Sequence, residues 1–338
     1  MELKCHTSSK NSPLIHTGWI ALLSDSEQTT LMPNSASHSE EWDVHQFRTF
    51  YRQKALTQSL NEFPFDLTNQ ISPLSFGEYS LRIWTAPTLL TAIKDACHYS
   101  PLLGLPIRCL FHETKNDVID IWFINHETSS KESDMSHNET MLVISAFISM
   151  LDANTSIGID FDLFIPKWQS SLDIKKQTEK YVHCRIHEGY PIHRLVIKKQ
   201  QLDVGSSYAN NAIYQQMGHL LDTELAGLKK TNIIQQVYST LDTLPSLYEA
   251  SGEHIANVMN ISFRTLNRRL AEVETSYRGV LEKYKLEKAL VWLENSNISM
   301  TEVASRLGFS DLSTFSRAFK RWTGVCPSQL SNHPYLIN

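Results

Sequence analysis

A repeat in the last third of the chain restricts its possible folds more than any other feature of the sequence. The earlier positions of the two copies match at an offset of 48 residues and the later ones at 49, because the second copy is one residue longer after its centre. The matched residues are Ile255, Ala256, Met259, Ile261 and Ser262 with Val303, Ala304, Leu307, Phe309 and Ser310, then Leu266, Arg268 and Leu270 with Phe315, Arg317 and Phe319. This pattern predicts two copies of one small helical unit, joined by a connecting segment.

Each copy has the pattern of two helices joined by a tight turn. Ala256 and Ala304 are small, and they stand where a bulky side chain would keep two crossing helices apart. Gly308 predicts a left-handed residue in the second turn, and its counterpart Asn260 is the next-best residue for that conformation. A serine hydroxyl can accept an otherwise unpaired N–H at a helix start, so the second helices are predicted to be capped by Ser262 and Ser310.

The second helix of each copy has one apolar and one polar face. The apolar side chains lie four residues apart and are predicted to face the core: Leu266 with Leu270, and Phe315 with Phe319. The outward residues are then Arg264, Asn267 and Arg268 in the first copy and Ser313, Ser316, Arg317 and Lys320 in the second. Arginine pairs with guanine and asparagine with adenine through two hydrogen bonds each, so these faces are suited to base edges in the major groove.

The connecting segment is predicted to be a helix from about residue 277 to 295. At 1.5 Å per residue such a helix is about 28 Å long. Successive major-groove faces on one side of DNA lie about 34–36 Å apart, so the two units could enter adjacent segments of one groove. The alternative is a helical bundle whose basic side chains are merely solvated, but it does not explain two matched units with free basic faces.

Charge and composition agree with a polyanion partner for the C-terminal region. Residues 226–338 contain 13 lysines and arginines against 10 acidic residues, although the whole chain has a net charge of −5. With 338 residues, 41% hydrophobic and 20% charged, the chain has room for two soluble domains. The longest apolar run, Met141–Leu151, is shorter than the roughly 20 residues of a membrane span. With no secretory signal and five scattered cysteines, we expect a cytoplasmic protein with no membrane partner.

The predicted N-terminal region contains both helices and strands. Predicted helices cover residues 44–60, 88–99, 141–151 and 210–228; predicted strands cover 107–111, 118–124, 161–165 and 195–199, the first two forming a hairpin; polar loops are predicted for 24–40 and 126–139. In the helix at 210–228, Ile213, Met217, Leu220, Leu221, Leu225 and Leu228 form one apolar stripe. That stripe is suited either to packing on its own domain or to a dimer seam. Gly227 and the pair Lys229-Lys230 suggest a domain boundary after it.

The C-terminal run from Met300 to Ser328 closely resembles the signature of AraC/XylS-type transcription regulators. Residues 255–270 resemble that family's first helix-turn-helix, and residues 285–289 its linker helix. The sequence departs from the family pattern at Phe263, Lys285, Cys326 and the pair Leu330-Ser331. The resemblance implies base-reading positions on both second helices, and the predicted DNA-binding set is Arg264, Thr265, Asn267, Arg268, Leu312, Ser313, Ser316, Arg317 and Lys320.

A weaker resemblance in the N-terminal half points to one subgroup of that family. It is found in residues 86–90, 98–102, the predicted hairpin and 189–192, and it implies an α+β regulatory domain of the arabinose-binding type. We therefore expect an effector-binding or dimerisation domain at 1–228 and an all-α double helix-turn-helix domain at 229–338. The expected protein is a transcription regulator, by preference an activator, with promoter DNA and RNA polymerase as partners. A small-molecule effector and a homodimer are both compatible with it, and no effector-binding residue is assigned.

Enzymatic and metal-dependent functions find little support in the sequence. His183, Cys184, His187 and His193 lie close together, but a zinc site of the Cys₂His₂ type would need a second cysteine nearby. The glycine-rich nucleotide loops and the G-x-S-x-G hydrolase motif are absent, so we expect no enzyme and no cofactor. Two alternatives stay open: a DNA-repair protein with Cys184 as sacrificial nucleophile beside Arg185 and His183, and a DNA organiser without an effector.

Overall fold

The computed structural model has a mixed helix-and-strand region followed by a region in which every described element is helical. It describes residues 15–23, 44–57, 68, 70–105, 107–114, 117–125, 133–155, 158–167, 172–181, 183–202, 204–273, 275–293 and 298–331. The first region contains α1 (Thr17–Ala21), α2 (Val44–Thr57), α3 (Gly77–Trp84), α4 (Leu89–Tyr99), β1 (Ile107–Glu113), β2 (Val118–Asn125), α5 (Ser133–Asp152), β3 (Phe161–Ile165), α6 (Leu172–Tyr181), β4 (Cys184–Glu188), β5 (His193–Lys198) and α7 (Asn211–Thr231). The second contains α8 (Ile233–Thr243), α9 (Gly252–Val258), α10 (Phe263–Ala271), α11 (Tyr277–Leu293), α12 (Met300–Arg306), α13 (Leu312–Thr323) and α14 (Pro327–Ser331). The predicted fold class, α+β followed by all-α, is confirmed.

The five described strands form one mixed sheet in the order β1-β2-β5-β3-β4. Strands β1 and β2 form the predicted antiparallel hairpin, and β5 pairs antiparallel with both β2 and β3. Strand β4 runs parallel to β3 at one edge, and β1 forms the other edge. The edge position of β1 matters because it brings one charged side chain next to the C-terminal helices, as described below.

Strand β2, which lies between β1 and β5, is buried on both faces. Ile119, Ile121 and Phe123 point into the hydrophobic cluster that the sheet shares with the N-terminal helices. Trp122 and Ile124 point the other way and belong to a second cluster, which contains the C-terminal helices. Because side chains alternate along a strand, this one sheet contributes side chains to two hydrophobic clusters.

Helix α7 spans the predicted boundary between residues 228 and 229 without a break. Its buried side packs on the N-terminal cluster through Leu221 and Leu225, as expected for packing on its own domain. Ile213 and Leu220, in contrast, are 40% and 44% exposed on its outer side. The boundary and the dimer seam therefore both stay predictions.

Several predicted bounds differ from the structure. Helix α5 begins at Ser133, inside the segment predicted as a polar loop up to Glu139. Two polar residues that follow its first turn are buried: Glu139 accepts two hydrogen bonds from Arg48, and His137 contacts His193. Helices α3 and α6 and strand β4 were not predicted. The predicted loop at 24–40 lies outside the described residues.

Candidate nucleic-acid interface

The first helix-turn-helix unit consists of α9 and α10 and has the predicted local chemistry. Ser251 caps α9, and the Ser262 hydroxyl accepts the Thr265 N–H at 3.1 Å, so it caps α10 as predicted. Between them Asn260 has a φ of 55°, which is the left-handed conformation expected of the turn. The turn and the cap together fix the direction in which α10 leaves α9.

The second unit consists of α12 and α13, and one of its predicted contacts is wrong. Gly308 is left-handed as predicted, with a φ of 73°. The cap of α13, however, is Asp311 and not Ser310: its Oδ1 accepts the Thr314 N–H at 2.7 Å. Its Oδ2 accepts the hydroxyls of Ser310 and Thr314, both at 2.9 Å. A carboxylate is the stronger acceptor at the positive end of a helix, and these hydrogen bonds lower the pKa of Asp311.

The apolar faces of the two second helices are buried as predicted. Leu266, Leu270, Phe315 and Phe319 are fully buried, and so are the small residues Ala256 and Ala304 at the helix crossings. A Cβ added to Gly308 would lie 2.8 Å from the Leu247 carbonyl oxygen, so the second turn needs glycine for space as well as for its φ. The buried faces leave the opposite faces turned outward.

Most of the predicted DNA-binding side chains lie on those outward faces. Exposed are Arg264, Asn267, Arg268, Ser313, Arg317 and Lys320; partly buried are Thr265, Leu312 and Ser316. Leu312 differs from the others because its side chain packs against the C-terminal hydrophobic cluster. Arg269 is also exposed on α10 and was not among the predicted residues, although its place directly after Arg268 in the last turn was a usable signal.

Two arginines on these faces, Arg268 and Arg317, already have local partners. Arg268 forms an ion pair with Glu272 one turn later, and its side chain is 63% exposed. Arg317 lies with Nη2 3.4 Å from the Thr314 hydroxyl. Such exposed contacts are worth at most about 1 kcal/mol, so they hold the guanidinium groups in place without preventing an exchange for a base or a phosphate.

Helix α11 joins the two units and packs against both. Its 17 residues give a length of about 25 Å at 1.5 Å per residue. Lys285, where the family pattern has arginine, lies with its ammonium 4.8 Å from the centre of the Phe309 ring, and burial lowers its pKa. Glu282 forms ion pairs with Arg321 at 2.8 Å and with Arg278 at 3.1 Å. This helix therefore fixes the separation of α10 and α13.

Of the residues considered for other chemistry, His183 is exposed, and the others are buried or bound elsewhere. Burial raises the pKa of the Cys184 thiol, and Arg185 beside it is held by Asp162 through two hydrogen bonds of 3.0 and 2.8 Å. His187 also binds Asp162, at 2.8 Å, while His193 turns to His137. A thiol held protonated is a poor nucleophile, and no observation supports the repair alternative. Within the described ranges, no group of three or more His, Cys, Asp or Glu side chains could hold a metal ion.

No helix in the described part of the chain is both long and apolar enough to cross a bilayer.

Comparisons with known proteins point to the same region. A helix-turn-helix domain family of the AraC type matches residues 255–333, which begin within α9 and include α10, α11 and the second unit. The HTH-type transcriptional regulator VqsM of Pseudomonas aeruginosa is 31% identical over 160 residues, covering 43% of this chain and 45% of that protein. The ornithine utilization regulator of the same species is 31% identical over 145 residues, covering 43% and 42%. The chain thus spans less than half the length of these two relatives.

Among solved structures, the transcriptional regulator CdpR of Pseudomonas aeruginosa is similar to this chain, with a TM-score of 0.45 and 21% identity. The match covers 85% of this chain and 91% of that one.

Proposed function

We propose that this chain, whose C-terminal region is an AraC-type helix-turn-helix domain, is a sequence-specific DNA-binding transcription regulator. One observation supports the proposal most strongly: two units with the same turn and the same buried face expose basic residues on their second helices and share one connecting helix. A structural bundle does not need that combination. Base reading in two adjacent major-groove segments does.

In the proposed mechanism α10 and α13 both enter the major groove, and on each helix some side chains contact base edges while others contact phosphates. Arg268 and Arg317 are assigned to base edges because they occupy equivalent positions in the two units. Asn267 is assigned to an adenine. Lys320, in the last turn of α13, is assigned to a phosphate, and so is Arg269, which is exposed beside Arg268 and has no equivalent arginine in the second unit.

The N-terminal region is proposed to regulate this reading. Its α+β fold agrees with the expected regulatory domain, and an effector or a second copy bound there would act by preferring one of two states of the chain. Activation through RNA polymerase, a cytoplasmic location and the absence of an enzymatic activity belong to the same proposal.

The decisive experiment is selection of bound sequences from a random DNA pool with the purified full-length protein. We expect an enriched site with two separate blocks about one helical turn apart. Enrichment of a single block would mean that only one unit reads DNA. Retention of DNA without any enriched sequence would leave a non-specific organiser and would reject the proposed function.

A further inference from the structure

A buried carboxylate lies where the N-terminal sheet meets the connecting helix. Glu287 stands in the middle of α11 and is only 7% exposed. Its Oε1 accepts the hydroxyl hydrogen of Tyr238, on α8, at 2.8 Å. Its Oε2 accepts a hydrogen bond from Nη1 of Arg108 at 3.3 Å, and Arg108 belongs to the edge strand β1. One acidic side chain of the C-terminal region is thus bound by the N-terminal region.

The guanidinium group of Arg108 contacts two residues of the C-terminal helices. Besides Glu287 it lies over the ring of Tyr238, 4.7 Å from the ring centre. Both contacts need the planar group of arginine, which can stack on a ring and donate along its edge at the same time.

Apolar side chains of the sheet surround this polar group. Ile124 is the cross-strand partner of Arg108, and Trp122 follows on the same face. Both residues, together with Ile192, are buried in the cluster that contains α8 and α11. The sheet therefore rests on the C-terminal helices through an apolar patch with one ion pair at its edge.

The ion pair selects one orientation of this apolar contact. An apolar patch alone tolerates sliding and rotation, because hydrophobic contact has no direction. A shift that kept Glu287 buried but separated it from Arg108 would remove a positive charge that favours its ionised form, which is destabilising. Burial raises the pKa of Glu287, and the charge of Arg108 opposes that rise, so the carboxylate is ionised most readily when the two are together.

We infer that Arg108 and Glu287 are positioning residues for DNA reading: they lock the N-terminal sheet onto the connecting helix in the state that binds the specific site. This inference rests on the proposed function. Two observations link the lock to DNA. Glu287 lies on α11, which holds both α10 and α13, and the basic faces of those helices remain exposed while the lock is closed.

The first test is hydrogen–deuterium exchange of the full-length protein. In Arg108→Ala we expect faster exchange of the α11 amides around Glu287 and of the β1 amides than in the wild type, because local opening becomes easier. Arg185→Ala is the matched control. It removes an arginine from the opposite edge strand, β4, where Asp162 is the partner and none of the described C-terminal residues takes part. Unchanged exchange in α11 of Arg108→Ala overturns the inference.

The second test is a double-mutant cycle on affinity for the selected DNA site. We expect Arg108→Ala and Glu287→Ala each to weaken specific binding by roughly 5- to 20-fold, and the double variant to be no weaker than either single one. The salt dependence should not change, because neither side chain contacts phosphate. Arg185→Ala should bind like the wild type. Wild-type affinity in both single variants, or effects that simply multiply in the double variant, contradicts the lock.

Milder variants keep the test informative if an alanine variant does not fold. Tyr238→Phe retains the ring under Arg108 and removes the hydroxyl that binds Glu287, and Arg108→Lys retains the charge without the planar group. Both should give intermediate losses of affinity, and wild-type affinity in both would overturn the inference. If the wild type selects no DNA sequence, the proposed function fails, while the exchange experiment still decides whether the lock exists.

Discussion

At the scale of single residues, the two units illustrate how local rules identify some positions and miss others. Asn260 and Gly308 were predictable because few residues adopt a left-handed φ, and both do so here. The cap of α13 was not, because Ser310 and Asp311 are adjacent and both residue types can cap a helix. The choice of Asp311 places the extra residue of the second copy before the cap, so the caps Ser262 and Asp311 are themselves 49 positions apart.

Arg268 and Arg317 should contribute to sequence preference more than to general DNA affinity. We expect Arg268→Ala or Arg317→Ala to cost about 1–3 kcal/mol of binding to the selected site while binding to unrelated DNA changes little. Lys320→Ala is the contrasting variant, since loss of a phosphate contact should weaken all sequences alike and reduce the salt dependence. Titrations with specific and unrelated duplexes at several salt concentrations separate the two roles. A purely sequence-specific loss in Lys320→Ala would reverse the assignment.

Buried histidines should make the stability of the N-terminal region depend on pH. Burial lowers the pKa of His112 and of His137 to about 4, and it also lowers the pKa of His193. The unfolded chain binds protons below about pH 6.5 while the folded chain does not, so stability is present at neutral pH and is lost as the pH falls from there towards 4. At pH 5.5 each histidine that burial keeps neutral lowers the free energy of unfolding by about 1 kcal/mol relative to neutral pH.

Thermal unfolding between about pH 7.5 and 5.5 measures this dependence. His137→Gln removes one of the buried neutral rings and should flatten the decline, whereas His219→Gln changes an exposed residue of α7 and should leave it unaltered. Comparison with the wild type is required because burial raises the pKa of Asp152 to about 6, and that shift acts in the opposite direction. An equally steep decline in His137→Gln would exclude that histidine as a source.

At the scale of helices and strands, the C-terminal elements were predictable and many N-terminal ones were not. Because the helix-turn-helix unit occurs twice, each of its helices could be predicted from two matching segments. Apolar residues four positions apart marked the buried face. In the N-terminal region polarity was misleading: the start of α5 reads as a loop, but Glu139 is buried against Arg48. Strand β4 has a buried Cys184 beside an exposed Arg185, a five-residue alternation too short to separate from a loop. Such partners are distant in sequence, so no local pattern reveals them.

The turn of the second unit provides a test at this scale. Gly308 and Gly324 both have left-handed φ values, 73° and 78°, so alanine is strained at either position. Only Gly308 is also crowded, by the backbone of Leu247, while a Cβ on Gly324 would meet open space. We expect Gly308→Ala to lower the free energy of unfolding by about 2 kcal/mol or more and Gly324→Ala by about 1 kcal/mol.

Chemical denaturation of the two glycine variants measures both changes in the free energy of unfolding. Circular dichroism can follow the loss of helix, and DNA binding then shows whether the damage remains local to α12 and α13. If both variants lose the same stability, backbone conformation alone accounts for the glycines, and close contact with Leu247 contributes nothing.

At the scale of the whole molecule, the distribution of charge and the docking of the sheet suggest that the C-terminal region contacts DNA while the N-terminal region faces away from it. The segment with the basic excess, residues 226–338, contains both helix-turn-helix units, and the remainder is acidic. An acidic N-terminal region is repelled by DNA, so it should remain on the side of the C-terminal helices that faces away from the duplex. The apolar patch around Trp122 and Ile124 already places the sheet against α8 and α11, away from the exposed faces of α10 and α13.

The rigidity of α11 leads to a prediction about the DNA and not about the protein. Because one helix of about 25 Å holds both reading helices, the two blocks of the binding site should tolerate no change in their spacing. Inserting about 5 base pairs turns the second block to the far side of the duplex, and inserting about 10 restores the side but exceeds the reach of the helix. Both insertions should reduce affinity to that of a site with one block, whereas the same base pairs added outside the blocks should have no effect. Competition titrations with these duplexes measure the losses. Recovery of affinity at 10 base pairs would require α11 to bend or unfold, and the two units would then read DNA as independent modules on a flexible connection.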